Sequence, residues 1–368
     1  MKKRALVCGA GIGGLSAGLA LARIGWDVTV FERDEELRTA GAGLNLWPNG
    51  VRVLKELGLG PHYAAISASL RTYRTFSSTG EVVAIDDVSD WPERYGAALS
   101  GVYRRDLSRM LADALGAGRL QLGRRVVAVA QDGDTVSCRF ADGGSAEGDL
   151  LIGADGIHSA VRAALFGPQA LSADGLVRWR GLFDLADVEV DPHAAVEVWG
   201  AGGHFGYMAI GGGRAYWFAA ADGITTEPDD ARAFFSRWER SSVPAIIAAT
   251  DPSTIIRNEI RDLVTPLPRW SRGRITLLGD AAHPMLPGMA QGASQALEDV
   301  RILKAALAEH EDLAAALDAY ERARIPWVGN VVRGSRPLFD FDGQHERVAS
   351  NCNPILGRYD SIAERRSA

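Results

Sequence analysis

Cysteine is scarce in this chain of 368 residues: Cys8, Cys138 and Cys352 stand far apart and form no CxxC pair. That excludes a disulfide framework and a structural zinc site, so no metal is expected, and it suits a reducing cytosol. A strong excess of one charge is lacking as well. Forty Lys and Arg against forty-six Asp and Glu give a net charge of −6, which argues against a coat for nucleic acid. No apolar run reaches the roughly 18 residues of a membrane span, and the tail carries Glu364, Arg365 and Arg366, which suit no anchor helix. Lys2-Lys3-Arg4 and the apolar stretch after it imitate a signal peptide, but that stretch is laced with glycine. The chain reads as soluble and cytoplasmic, long enough for two domains, with no internal repeat and no low-complexity linker.

What the chain does have is glycine, 42 residues of it, and the placement matters more than the number. Arg4 to Cys8 is a short apolar run. Gly9-Ala10-Gly11-Ile12-Gly13-Gly14 follows, then an Ala- and Leu-rich stretch to Ile24, then the β-branched run Asp27 to Phe31 ending at Glu32. This is strand, glycine turn, helix, strand. Gly9, Gly11 and Gly14 hold the three positions of GxGxxG, which serve the tight turn, the approach of a pyrophosphate and the close packing of helix on strand. The helix start offers free N–H groups and a positive dipole to a diphosphate. Glu32, at the end of the second strand, can accept a ribose hydroxyl and would repel a 2′-phosphate, so this site suits NAD or FAD rather than NADP.

Farther along, Trp47-Pro48-Asn49-Gly50 reads as a turn and Val51 to Leu57 as a helix stopped by Gly58. β-type segments occupy Leu70 to Ala98, and Val102 to Leu107 opens a helix running to about Leu115. A strand at Val126 to Ala130, a hairpin about Asp142-Gly143-Gly144 and a strand at Leu150 to Ala154 come next. Helical and β blocks alternate as they do when one domain is inserted into another.

Two further motifs join glycine to an acid. Leu150 to Gly153 is a buried-type strand followed by Ala154-Asp155-Gly156, with Ser159 placed to cap a helix and Arg162 one turn on. Ile275 to Leu278 is another, ending in Gly279-Asp280, followed by His283, the loop Pro287 to Ala293 and a long helix from Ser294 to about Glu309. Small residues feeding a helix start direct N–H groups at whatever lies before it, which suits the anionic edge of a reduced flavin.

Taken in order, GxGxxG, Asp155-Gly156 and Gly279-Asp280 with GDAAHPMLP…QGA…ALED resemble the class A, p-hydroxybenzoate hydroxylase-like flavoprotein monooxygenases. The resemblance covers roughly residues 4 to 325 and is nearest the salicylate, 3-hydroxybenzoate, hydroxynicotinate and urate hydroxylase branch. It implies non-covalent FAD, with Gly9, Gly11 and Gly14 at the pyrophosphate and Glu32 at the adenosine ribose. Arg33 would flank the adenine, and Arg104 would reach the cofactor phosphates, with Arg105 as the alternative register. Asp155 would serve FAD and pyridine nucleotide binding, Asp280 the ribityl chain, and Gly292 and Ala293 the flavin. Pro287 would line the substrate side of the flavin as a catalytic residue, whereas His283 reads as a turn histidine. The chain departs from the branch at Gly288, where the urate enzymes carry an acid, and at Ser294, often asparagine. Gly288 and Met289 suggest a roomier pocket.

Residues 171 to 270 read mainly as β-structure with one helix near Ala231 to Arg240. His204 to Ile210 and Arg214 to Ala220 form an expected hairpin through Gly211-Gly212-Gly213, with 210 facing 214, 208 facing 216 and 204 facing 220. Strand alternation then puts His204, Met208, Tyr216 and Phe218 on one face, and Phe205, Tyr207, Ala215 and Trp217 on the other. The resemblance makes the first face the substrate face, because the urate-type enzymes place a basic residue and a tyrosine at what look like positions 204 and 216. His204 there could act as a base on a phenol or hydroxy-heterocycle, with Tyr216 beside it. Arg178 and Arg180, either side of Trp179, could meet an acidic substrate or NAD(P)H, but the favoured reading is a solvated basic edge.

The expected architecture is α/β: a Rossmann-like FAD domain (1–70, 101–170 and 271–325), an inserted β-rich substrate domain (71–100 and 171–270) and a C-terminal helical tail (326–368). The expected activity is NAD(P)H- and O2-dependent hydroxylation of a small electron-rich aromatic or heteroaromatic compound through a flavin hydroperoxide, by a monomer or homodimer. Two alternatives stand beside it. One is a flavin-dependent double-bond reductase or epoxidase of the same fold; the other is a non-catalytic flavin-binding sensor.

Overall fold

Ala5 to Cys8 are four consecutive buried residues, the mark of a strand covered on both faces. The computed structural model, which describes residues 2–37, 42–172, 177–200, 202–221 and 228–336, puts Arg4–Cys8 at the centre of a six-stranded sheet. Its order is Ser271–Arg272, Ile275–Leu277, Leu150–Gly153, Arg4–Cys8, Asp27–Phe31 and Leu120–Gln121, parallel except at the Ser271–Arg272 edge. The helix Ile12–Arg23 packs over it, buried through Leu15 to Leu21. A small antiparallel sheet of Val126–Asp132, Thr135–Phe140 and Ser145–Gly148 turns at the expected Asp142-Gly143-Gly144.

The second large sheet has seven strands in the order Ile256–Glu259, Val177–Asp184, Arg214–Ala221, Gly203–Gly211, Ala194–Gly200, Thr72–Ser77 and Val82–Asp87. A short sheet of Gly43–Leu46, Ser100–Tyr103 and Ser67–Ser69 lies alongside, and the Gly43 Cα is so close to Tyr216 that a Cβ there would overlap the tyrosine ring. Three apolar clusters result. One fills the six-stranded half, one lies behind the seven-stranded sheet, and a third, with Trp47, Tyr73, Met208, Tyr216 and Met289, occupies the seam.

Several boundaries differ from the sequence reading. Trp47 to Gly50 is no free turn: Pro48 opens the helix Pro48–Glu56, because a proline at the first helical position loses no hydrogen bond. The 231–240 region holds the helix Pro228–Phe235, and a second one, Val243–Ala249, was not anticipated; its Val243, Ile246 and Ile247 are buried against the sheet. Residue 326 is no boundary, since one helix runs from Leu313 to Ser335. The rest of the expected tail, 337–368, lies outside the described residues, as do Cys352 and the Glu364, Arg365 and Arg366 cluster. Among the described residues, no helix is long and apolar enough to cross a membrane.

The hairpin carries one correction. Gly211, not Ile210, pairs with Arg214, and the register shifts between Ala209 and Gly211. The turn is therefore two residues, Gly212 and Gly213, at φ 60° and 74°, the left-handed pair that a tight hairpin favours. The bulge absorbs the odd residue, so Met208 still pairs with Tyr216 and His204 with Ala220.

Candidate active site

The three motif glycines differ in what a side chain would meet. A Cβ at Gly9, where φ is +104°, would strike the Ala154 carbonyl, and one at Gly14 would strike the carbonyl of Gly9. At Gly11 it would meet nothing within 4 Å. Gly9 and Gly14 thus pack strand, turn and helix together, while Gly11 leaves open space before the helix N–H groups. Glu32 is bonded to the turn itself: Oε2 accepts the Ala10 N–H at 2.7 Å and Oε1 that of Asp34 at 3.2 Å. Arg33 is exposed, 3.8 Å from Asp34, and lines no part of the cavity described next.

In front of that turn lies a cavity of about 320 Å³. Its floor is Gly11, Ile12 and Gly13; Arg104, Asp280, Pro287, Gly292 and Ala293 form one wall; His204, Met208, Tyr216 and Phe218 form the opposite wall. Arg104 lines it and Arg105 does not. Tyr207 and Trp217 point the other way, into the cluster behind the sheet.

The Gly279-Asp280 turn is held from three sides. Arg162, read from sequence only as a residue of a helix face, donates to the carbonyls of Ala281 at 3.0 Å, Asp280 at 3.4 Å and Ile157. Buried Asp299 accepts from Gly279 N–H at 2.8 Å, His283 Nε2 at 2.6 Å and Arg324 Nε at 2.7 Å. His283 therefore does hold the loop, and its partner on the long helix is the last residue of the ALED run, to which the sequence reading gave no role. Asp280 is left facing the cleft; the surrounding protein pushes its carboxyl up, while His283, Arg104 and Arg162 pull the other way.

Asp155 is turned elsewhere. Its Oδ2 accepts the N–H groups of Ala160 at 2.7 Å and Val161 at 3.2 Å, and Ser159 Oγ donates to Oδ1 at 2.5 Å. Ser159 caps the helix Ala160–Phe166 as its sequence position suggests, accepting the Arg162 N–H at 2.8 Å. Asp155 reinforces that cap and does not line the cavity, since an acid so placed satisfies helix N–H groups more cheaply than a distant ligand.

After Pro287–Met289, Ala290 takes a left-handed conformation, φ 49°, the one such non-glycine among the described residues. The chain then enters the helix Gly292–Glu309, two residues earlier than expected. Ser294 Oγ accepts the Trp47 N–H at 3.2 Å, so this side chain ties the loop before the Pro48 helix to the long helix.

On the far wall the structure exposes a cluster that motif reading missed. Glu197, buried in the strand Ala194–Gly200, accepts from Tyr73 Oη at 2.5 Å and Trp199 Nε1 at 3.0 Å. His204 stacks on Trp199 with centroids 3.9 Å apart and sets Nε2 3.3 Å from Glu197 Oε2, out of line for a hydrogen bond. Burial lowers the His204 pKa, opposed by Glu197 and helped by Arg178. Burial pushes Glu197 up, but His204, Tyr73 and Trp199 outweigh it and leave the carboxyl low. At neutral pH the pair is a neutral imidazole beside a carboxylate whose charge the Tyr73 and Trp199 donors hold. Burial also raises Tyr216, with Arg180 and Arg178 opposing.

Arg178 and Arg180 correct the expected solvated edge. Both line the cavity, Arg178 is buried, and its guanidinium lies 5.0 Å from the Phe218 ring centroid. Trp179 between them faces the opposite cluster, as alternation requires.

Residues 2–335 match the FAD binding domain family. The chain belongs to that family. It is 38% identical to the FAD-dependent urate hydroxylase of Klebsiella pneumoniae subsp. pneumoniae, covering 92% of this chain and 90% of that one. It is 33% identical to the 6-hydroxynicotinate 3-monooxygenase of Bordetella bronchiseptica, covering 99% and 97%. The crystal structure of Klebsiella pneumoniae HpxO complexed with FAD and uric acid superposes with a TM-score of 0.85 at 35% identity, over 98% of this chain and 93% of that one. The protein is a class A, FAD-dependent flavoprotein monooxygenase, with the α/β architecture of that group.

The residues present fit the cofactor. Gly11 leaves the space a diphosphate needs, and the buried Oδ1 of Asn45, on the cavity wall, has no hydrogen-bond partner among the described residues. Arg104 and Asp280, which line the same cavity, supply a cation and an acceptor.

Proposed function

We propose that the protein hydroxylates a small aromatic or heteroaromatic compound bearing a ring hydroxyl, with NAD(P)H as reductant, and that His204 is the base. The observation that carries this reading is a buried imidazole, neutral at pH 7, on the wall facing the Pro287–Ala293 loop. FAD, when bound, supplies the redox chemistry with NAD(P)H and O2. Gly9, Gly11 and Gly14 shape its diphosphate site, with Arg104 and Asp280 on its polar chain and Gly292 and Ala293 at the helix start facing its ring.

The protein's own part is to orient the ring and exclude water. With Nε2 turned to Glu197, Nδ1 is the nitrogen left for a substrate hydroxyl; taking that proton makes the ring more electron-rich. Glu197 then stabilises the imidazolium, as a positioning residue. Tyr216 and Pro287 bound the ring, and Met208 and Phe218 supply apolar contact. The scarcity of cysteine supports a cytoplasmic protein.

His204→Ala should keep its FAD and lose turnover by roughly 10²–10⁴-fold, the span of a lost general base. The deficit should shrink as pH rises and the substrate ionises unaided. A pH-independent deficit, or none, removes His204 as the base. Substrate-dependent oxygen uptake separates hydroxylation from oxygen-independent double-bond reduction.

A further inference from the structure

We propose that Arg324 is a positioning residue that ties the Gly279-Asp280 turn to the start of the helix Gly292–Glu309. From outside the cavity, this one buried guanidinium sets how Asp280 and the helix N–H groups meet the cofactor. The proposal rests on the placement of Asp280 and Gly292 against FAD given above, and not on which compound is hydroxylated.

Gln291, Gln295 and Asp299 stand four residues apart and run along one face at the start of the helix Gly292–Glu309. All three are buried, and a buried polar stripe is costly unless its groups find partners. Here the partner is shared. Arg324 Nε donates to Asp299 Oδ1 at 2.7 Å, and Nη2 donates to Gln295 Oε1 at 2.8 Å and to the Gln295 carbonyl at 3.2 Å. Gln295 Nε2 continues the chain to Gln291 Oε1 at 3.1 Å, on the residue just before Gly292. Asp299 continues it the other way, accepting the Gly279 N–H at 2.8 Å and His283 Nε2 at 2.6 Å. Tyr320, one turn before Arg324, donates to the Leu277 carbonyl at 3.1 Å, so the same helix face also fixes the strand that leads into the turn.

The two ends of this chain line the cavity, with Asp280 at one and Gly292 and Ala293 at the other, while its middle does not touch it. Asp299 stays ionised: burial pushes its carboxyl up, but His283, Arg324 and the Gly279 N–H outweigh it. A buried ion pair is seldom more stable than apolar side chains of the same volume, so what this pair contributes is a fixed geometry. The planar fork of an arginine lets one side chain hold both groups at once, which the point charge of a lysine does not.

The test reads FAD affinity, the midpoint potential of the FAD-loaded enzyme and the melting temperature of the apo-protein. Displacing the helix start takes its N–H groups from the anionic reduced flavin and lowers the potential, whereas displacing Asp280 weakens FAD binding. Arg324→Gln should do both. Its Kd for FAD should rise about 10-fold and its potential fall by about 30 mV, which is tenfold for a two-electron couple. Arg324→Lys keeps a cation on Asp299 but loses the fork to Gln295, so it should bind FAD within about 3-fold of wild type and still show the lower potential. Gln295→Met should behave likewise, and it keeps the test open if Arg324→Gln folds poorly. A set of variants whose only change is a lower apo melting temperature overturns the proposal, because packing alone would leave the loaded flavin unaltered. So does a wild-type potential in Arg324→Lys and Gln295→Met. Asp280→Ala with wild-type FAD affinity overturns the placement of Asp280 instead, and the potential then decides the bridge.

Discussion

His204 Nε2 stands 3.3 Å from Glu197 Oε2, with both side chains buried. Because Glu197 raises a His204 pKa that burial and Arg178 lower, its removal leaves those two unopposed. Glu197→Gln should therefore move the acid limb of the kcat/KM profile to lower pH and reduce kcat roughly 10-fold or more through a less stable imidazolium. A profile with the acid limb unmoved would leave Glu197 with a packing role only.

The same pair makes the fold acid-sensitive. His204 and Glu197 each bind a proton less readily folded than unfolded. The unfolded chain thus takes up more protons, and stability present above the ordinary imidazole pKa of about 6.5 is lost as pH falls. Melting temperature should decline from about pH 6.5 downward, first through His204 and then through Glu197. His204→Gln should flatten the upper part of that decline; an equally steep curve in the variant would place the effect elsewhere.

Asp280 and Glu32 should separate in equilibrium dialysis and thermal unfolding. Asp280 faces the cleft, so Asp280→Ala should weaken FAD retention by about 1–3 kcal/mol. Its apo-protein should unfold near the wild-type temperature. Glu32 Oε2 accepts the Ala10 N–H at 2.7 Å, so Glu32→Ala should lower apo-protein stability as well as FAD affinity. Wild-type apo stability in that variant would mean that the bond to Ala10 contributes nothing.

Gly43→Ala probes the seam between the two halves. The new methyl would overlap Tyr216, and overpacking of this kind costs about 1–3 kcal/mol. We expect a lower melting temperature with aromatic-ligand affinity reduced and FAD affinity retained. Unaltered ligand binding would show that Tyr216 can shift without consequence.

The cofactor side was legible because its signals are local: GxGxxG and Gly279-Asp280 each place a backbone turn, while strand alternation put His204 and Tyr216 on one face and the family resemblance chose that face for the cavity. The hairpin face survived a misjudged turn because a bulge at Ile210 restored the parity. Glu197 and Tyr73 were invisible for the opposite reason. They lie 124 residues apart, on strands whose parallel pairing no local pattern announces. Arg178 and Arg180 looked like an exposed edge because charge alone cannot say which side of a sheet faces a cavity. Asp155 carried a motif-level role but caps its own helix, a use that Ser159, placed to cap the same helix, hinted at.

The strand order of the first sheet also governs how the chain can be made. Arg4–Cys8 needs Leu150–Gly153, which in turn needs Ile275–Leu277. At ribosomal rates of about 5–20 residues per second, the amino-terminal strand waits roughly 15–50 s for its sheet to be completed. During that interval Asp27–Phe31 can cover one edge of Arg4–Cys8, the other stays open until Leu150–Gly153 is made, and Leu150–Gly153 then waits for Ile275–Leu277. A nascent chain should therefore gain from a holding chaperone, and slowing translation late in the message should lower its soluble yield.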